Sequence, residues 1–419
     1  MLGPLSENYG LIKQPPKTYY MSKIRQLWKS YWLASIIAAC LLLISFWLHT
    51  VNTWSPMSLD DQVWNTKMDL HLNHHPFRLR LFQSHVTNWL HLLTGVSLKI
   101  TFYTVQYLLA FITGLLFLKY LRRLGFDRFW AHLGMILFFT SLSVLAAHFA
   151  PIHTWDDFWM YLLLLLTALS ILNSSWYQAA VFFTLGCFAR ETFLLMYPVL
   201  LFFAWRELRF KSIVKLSVCA LIPLLIYGSY LMLYGSPPPE NSWRFLSYNF
   251  ENSARAADTT VSIVNAFGFV WLLATAGMVK LSRQARTASQ DFCFWGVMLL
   301  LPINTIMVAA FALIRETRLL FVPFLFVIPI ALWFGQAMWI SMRTRHSNVR
   351  FLFASLLGTA LFLVAGLYLA ELIWPVFDYQ SSSELRRNVA GINIGLALGS
   401  VLFWLLSIAG KSKQITTST

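Results

Sequence analysis

The stretch WYQAAVFFTLGCFARETFLLMYPVLLFFAW, Trp176 to Trp205, decides how the chain is laid out. It is mostly apolar, and its two charged residues, Arg190 and Glu191, stand near its middle. It reads as one long kinked segment, as two thin spans or as a re-entrant pair. Charge elsewhere in the chain chooses between these.

Outward from this stretch the chain stays apolar. Of 419 residues, 58% are hydrophobic and 12% charged, and the mean hydropathy is +0.61. A soluble domain carries about 25% charged residues, so a water-facing surface is excluded for most of the chain. Backbone groups in lipid must be satisfied internally, which restricts the spans to helices or a closed barrel. The runs are continuous and rich in Leu and Phe rather than alternating, which selects helices. The expected fold is all-α, a polytopic transmembrane helix bundle with about 12 hydrophobic segments (roughly 10–13) by the length needed to cross a bilayer. They fall near 32–49, 101–118, 130–148, 158–172, 176–188, 192–205, 214–234, 261–280, 292–313, 319–340, 351–372 and 389–408. The expected layout is a cytoplasmic head 1–31, a single transmembrane domain 32–408 and a cytoplasmic tail 409–419. The first outer loop is 50–100 and a long outer loop is 235–260. The first apolar run follows a basic, Pro-containing head, so no cleavable signal peptide is expected. Cys40, Cys187, Cys219 and Cys293 lie in apolar runs and read as buried hydrophobes rather than disulfides.

The net charge is +15. Nucleic acid is rejected as a partner, because the basic residues cluster at the ends of apolar runs, where they set orientation. Lys13, Lys17, Lys23, Arg25 and Lys29 put the head inside. Arg206, Arg209, Lys211 and Lys215 are inside only if 176–205 crosses twice or dips and returns. Arg190 and Glu191 then lie on the outer side. In that topology thirteen of the seventeen carboxylates are outer, among them Asp60, Asp61, Asp156, Asp157, Glu191 and Glu316. Acidic residues contribute little to orientation, so the bias points to an outer-face site; the alternative is that basic residues are simply kept inside.

Arg190-Glu191-Thr192 recurs as Arg315-Glu316-Thr317. Arg190 to Leu200 and Arg315 to Leu325 share seven of eleven positions. Each copy reads as a helix start at the outer surface. Glu in the first turn complements the helix dipole, and the free N–H groups with the Arg form an anion site. Pro198 and Pro323 would kink the helices that follow. Arg318 adds a second cation one turn from Arg315. The alternative is a pair of interface markers with snorkelling Arg side chains.

The first outer loop, Ser55 to Gly95, opens with Ser-Leu-Asp-Asp. Leu79, Phe82, Val86, Trp89, Leu90 and Leu93 then recur at helical spacing, predicting amphipathic helices on the outer membrane surface. Asp60 serves either as an N-cap or as a general base or metal ligand. His71, His74 and His75 have ligand-like spacing, with Asp69 close by. A divalent metal is compatible with these residues but not required, and a proton-shuttling or phosphate-facing His is the alternative.

These pieces together resemble the GT-C class of integral-membrane glycosyltransferases. The resemblance rests on Asp60 or Asp61 after the first span, on HHPFRLR ahead of the second, and on the Arg190-Glu191-Thr192 helix start. It covers about the first 210 residues; a large soluble C-terminal domain, carried by several members, is not expected here. It implies transfer of a sugar, with inversion, from a polyprenyl-phosphate carrier to a lipid, glycan or protein acceptor on the periplasmic face. Asp60, ahead of Asp61, would be the catalytic carboxylate. Arg190, Arg315 and Arg318 would hold the carrier phosphate. Glu191, Glu316, Asp156, Asp157, His75 and Arg78 would support them. The rival expectations are a transporter or flippase for a lipid-linked or anionic substrate and a non-catalytic assembly protein. The expected location is a bacterial inner membrane with both termini cytoplasmic.

Overall fold

A computed structural model describes residues 31–47, 60–74, 77–146, 156–208, 212–235, 244–312, 317–343, 349–373, 387–388 and 390–401. Every element among them is helical. In order they are α1 (Tyr31–Trp47), α2 (Asp61–Asn73), α3 (Phe82–Thr94), α4 (Leu98–Arg123), α5 (Arg128–Thr140), α6 (Leu142–Ala146), α7 (Asp157–Leu172) and α8 (Trp176–Ala189). After them come α9 (Tyr197–Leu208), α10 (Ile213–Tyr234), α11 (Arg244–Asn249), α12 (Ser253–Phe267) and α13 (Val270–Ser282). The series closes with α14 (Ala288–Phe311), α15 (Phe324–Arg343), α16 (Val349–Ile373) and α17 (Ala390–Val401). Short 3-10 turns span Phe77–Leu79, Glu191–Met196 and Thr317–Phe321.

Among the described residues four helices are long and apolar enough to cross a membrane: α4, α10, α14 and α15 over Phe324–Ser341. A fifth crossing results if the bent pair Thr259–Phe267 and Val270–Ser282 is one span. Several of the other expected runs form shorter apolar helices, α1, α7, α8 and α17 among them. The difference from twelve full segments has local causes. The run 130–148 breaks at Ser141, whose hydroxyl donates to the Phe138 carbonyl, so α5 ends and α6 begins. The run 261–280 bends by 71° at Gly268, whose φ of +55° suits a residue without a side chain.

The 176–205 stretch runs out and back. Arg123 bonds Asn173 at 2.8 Å, so α8 starts at the end of the bundle where α4 finishes. Arg190 then lies at the opposite end, and α9 returns to Arg206, which pairs with Asp291 at the start of α14. With the 3-10 turn before it, α9 covers about 30 Å at the rises of the two helix types.

The prolines do not kink these helices. Pro198 is the second residue of α9 and Pro323 precedes α15, so both stand where a missing N–H costs little. A 3-10 turn stands ahead of each proline, Glu191–Met196 before Pro198 and Thr317–Phe321 before Pro323, and an α-helix follows each turn.

The core is aromatic. Phe138 and Tyr161 lie 5.2 and 5.3 Å from Phe324, which stacks on Phe321 at 5.2 Å. This cluster ties α5 and α7 to the second triplet's turn, with ring geometry that favours offset and edge contacts. The first triplet's turn is seated by Phe193, fully buried against Gly186, where a Cβ would meet the Phe193 ring at 2.4 Å. Gly186→Leu is expected to cost about 1–3 kcal/mol by overpacking, with Gly186→Ala at the low end. Thermal unfolding in detergent reads this, and an unchanged midpoint contradicts the seating.

Candidate active site

The site begins with the residues that sequence patterns place least well. After the Phe77–Leu79 turn, the Leu81 N–H donates to the Phe188 carbonyl at 2.9 Å. That bond docks the chain on the end of α8 and aims Arg80 at Glu191. Arg80 holds Glu191 with two hydrogen bonds, Nε to Oε2 at 3.0 Å and Nη2 to Oε1 at 2.5 Å. Its Nη1 also lies 3.8 Å from Asp156. Forked donation of this kind is specific to arginine.

Helix α3 fixes this geometry with its polar face. Gln83, Ser84 and Thr87 are buried, whereas Trp89, Leu92 and Leu93 are exposed. The expected amphipathic helix is present, with the polar side turned to the bundle and much of the apolar side turned out, as lipid requires. Gln83 accepts from the Trp159 indole at 3.0 Å and donates to Thr87 at 3.1 Å. Phe82 stacks on Trp159 at 5.1 Å. These contacts lock α3 to the first turn of α7, where the acidic pair sits.

Asp156 and Asp157 are both fully buried. Asp157 receives one arginine from each repeat. Arg190 of the first pairs with Asp157 Oδ1, and Arg318, the residue after the second triplet, donates to Asp157 Oδ2 at 2.9 Å. The copies reach it from different motif positions. Arg318 stands where the first copy has Phe193, and Arg315 corresponds to Arg190. Asn304 steadies the second turn by donating to the Leu319 carbonyl at 3.1 Å.

Asp156 is the exception. Its carboxylate is only weakly held: Arg80 Nη1 lies 3.8 Å away, and the Gln83 main chain is the one hydrogen-bonding group that bears on it. Burial raises its pKa to about 7; the charges of Arg80 and Arg190 oppose that rise and Glu191 adds to it. Burial alone would raise Glu191 too, but Arg80, through charge and hydrogen bond, outweighs it and with Arg190 holds the carboxyl at about 2. Burial lowers Arg190 to about 9, with Arg318 and Arg80 as repelling neighbours. The Glu191 side chain is 42% exposed, so water reaches one edge of an otherwise closed cluster.

Of the residues expected from sequence, Arg190, Arg318, Asp156, Asp157 and Glu191 come together. Arg80 joins them and was missed, because its neighbour Arg78 carries the same chemistry two residues earlier. Arg78 is exposed and donates to the Tyr234 carbonyl at 2.8 Å, closing the end of α10. Asp60 and Asp61 are exposed, and Asp60 caps α2 by accepting from the Val63 N–H at 2.8 Å. His71 is buried and stacks on Phe77 at 4.7 Å, while His74 is exposed, 3.8 Å from Asp69. Among the described residues no three His, Cys, Asp or Glu side chains gather around a metal-sized point. His75, Arg315 and Glu316 lie outside the described residues.

The cluster as described holds three arginines and three carboxylates at one end of the bundle. Its chemistry is that of guanidinium groups able to meet an anion, beside a carboxylate poised to exchange a proton near neutral pH. No protein-family model, no curated protein and no solved structure matches this chain.

Proposed function

We propose that the protein is a membrane glycosyltransferase that moves a sugar from a polyprenyl-phosphate carrier to an acceptor on the outer face of a bacterial inner membrane. Both termini are cytoplasmic on this reading. The observation that carries it is Asp156, a fully buried and weakly held carboxylate, set beside Arg80, which grips Glu191 with two forked hydrogen bonds of the kind that fits a phosphate. The resemblance of the outer-loop and Arg-Glu-Thr pattern to GT-C enzymes supports the same reading.

Asp156 is the general base. It takes the proton of the acceptor hydroxyl as that oxygen forms its bond to the anomeric carbon. The bond from that carbon to the phosphate oxygen breaks, and its electron pair stays on the phosphate, which gains one negative charge. Attack and departure on opposite faces give inversion. Arg190, Arg318 and Arg80 meet the departing phosphate, where fixed cations in a dry site act most strongly. Glu191 holds Arg80 in place, and Asp157 does the same for Arg190 and Arg318.

The test is a sugar-transfer assay in lipid nanodiscs, with a panel of prenyl-phosphate sugars and lipid-extract acceptors, reading release of free prenyl phosphate. Release that depends on acceptor supports the proposal. Movement of the intact lipid-linked sugar across the bilayer without release favours a flippase instead.

Asp60→Asn separates the two roles open to Asp60, since Asn caps a helix as well as Asp does. With Asp156 as base, transfer by Asp60→Asn is expected to stay within about threefold of the parent, well short of the effect of removing a catalytic base. A loss of a hundredfold at unchanged stability moves the base to Asp60.

A further inference from the structure

Charge balance in the cluster has a consequence for the lipid phosphate. With Asp156 ionised, the described groups balance: Arg80, Arg190 and Arg318 against Asp156, Asp157 and Glu191. Each guanidinium is within reach of a carboxylate, so an arriving phosphate must displace one. With Asp156 protonated, one positive charge is left over. Arg80 is the group affected, because it lies between Glu191 and Asp156. We infer that phosphate binding at this cluster is coupled to proton uptake by Asp156, so that a prenyl phosphate is held more tightly while Asp156 carries a proton and more weakly once it gives that proton up.

The groups facing Asp156 support this assignment. Arg80 approaches from the segment before α3, together with the Gln83 main chain of α3. Arg190 and Glu191 approach from the end of α8. Arg318 acts through the adjacent Asp157. Arg190 keeps its charge near neutral pH, and Glu191 stays ionised. Asp156, 3.8 Å from Arg80 and held otherwise only by the Gln83 main chain, is the group that changes. His153 precedes it within the undescribed residues 147–155 and is handled as a control.

The inference rests on the transferase reading for its place in a cycle. In that cycle the acceptor proton reaches Asp156 as the phosphate gains its second charge, so the total charge of the site is unchanged. Loss of the proton to water then rebalances the cluster and weakens its hold on the spent carrier. The water-exposed edge at Glu191 lies beside this step.

The experiment measures binding of farnesyl methyl phosphodiester to the full chain in nanodiscs between pH 6.5 and 8.5. This probe keeps one fixed charge over that range, so its own titration contributes nothing. The expected result is about a tenfold weakening with rising pH, as one-proton linkage requires. Asp156→Asn and Asp156→Ala are expected to bind tightly and without slope, and His153→Gln is expected to keep the slope. A flat profile in the parent, or a slope that survives in both Asp156 variants, overturns the inference. Transfer with a flat binding profile sinks only this coupling. A sloped profile without any transfer sinks only the transferase reading.

Discussion

Asp157→Asn is expected to destabilise the protein by about 3–5 kcal/mol, the cost of leaving buried charges without their partner. Asp157 is fully buried and is the shared counter-charge of Arg190 and Arg318, which are themselves buried. The substitution keeps shape and removes charge, so two guanidinium groups face each other across a neutral amide. Loss of monodisperse protein on extraction, or a collapse of the thermal midpoint, is the expected reading. Adding Arg190→Gln should recover part of the loss, because a double variant of a contacting pair is less harmful than the single ones imply. An Asp157→Asn protein as stable as its parent contradicts the account of the two repeats as a shared clamp.

Asp156→Asn is expected to do the reverse. Transfer should fall by about a hundredfold to ten-thousandfold, the usual contribution of a positioned base, while the fold survives. The parent should show two pH trends of opposite sign through this one group. A base works when ionised, so the rate rises with pH through about 7 in the free protein, and at a higher pH with donor bound, and then levels. Stability moves the other way. The folded pKa lies above the ordinary aspartate value of about 4, so between about 4 and 7 the folded chain binds a proton that the unfolded chain has lost. Stability therefore falls as pH rises across that window. Asp156→Asn should flatten this part of the stability profile. A rate profile unchanged by the substitution contradicts the assignment of the base.

The fold class was legible because hydropathy reports directly on lipid exposure. The out-and-back course of 176–205 was legible too, since only that course puts Arg206 and Arg190 at opposite ends. Helix breaks were not. Ser141 and Gly268 interrupt apolar runs that a length criterion reads as continuous. Pro198 and Pro323 act as starts rather than kinks because a 3-10 turn precedes each, and hydrophobic spacing does not distinguish that turn from an α-helix.

The site was half legible. Repetition exposed Arg190, and Arg318 stood out as an extra cation in the second copy. That both converge on Asp157 depends on packing between elements distant in sequence. Arg80 was hidden for the same reason. Within HHPFRLR nothing local distinguishes it from Arg78, and the deciding contact is a backbone bond from Leu81 to Phe188. Asp60 stood out in the sequence because a Ser-Leu-Asp-Asp step ahead of a helix is conspicuous. In the structure that signal is satisfied by a cap.

The most direct test of the central claim is native mass spectrometry of the gently extracted protein. The claim is that this cluster holds the phosphate of a lipid carrier. The predicted result is a retained prenyl phosphate, bare or glycosylated, that disappears in Arg190→Gln and Arg80→Gln while the protein stays folded. Ordinary phospholipids alone, unchanged by either substitution, contradict it and leave the buried charges as a clamp between helices.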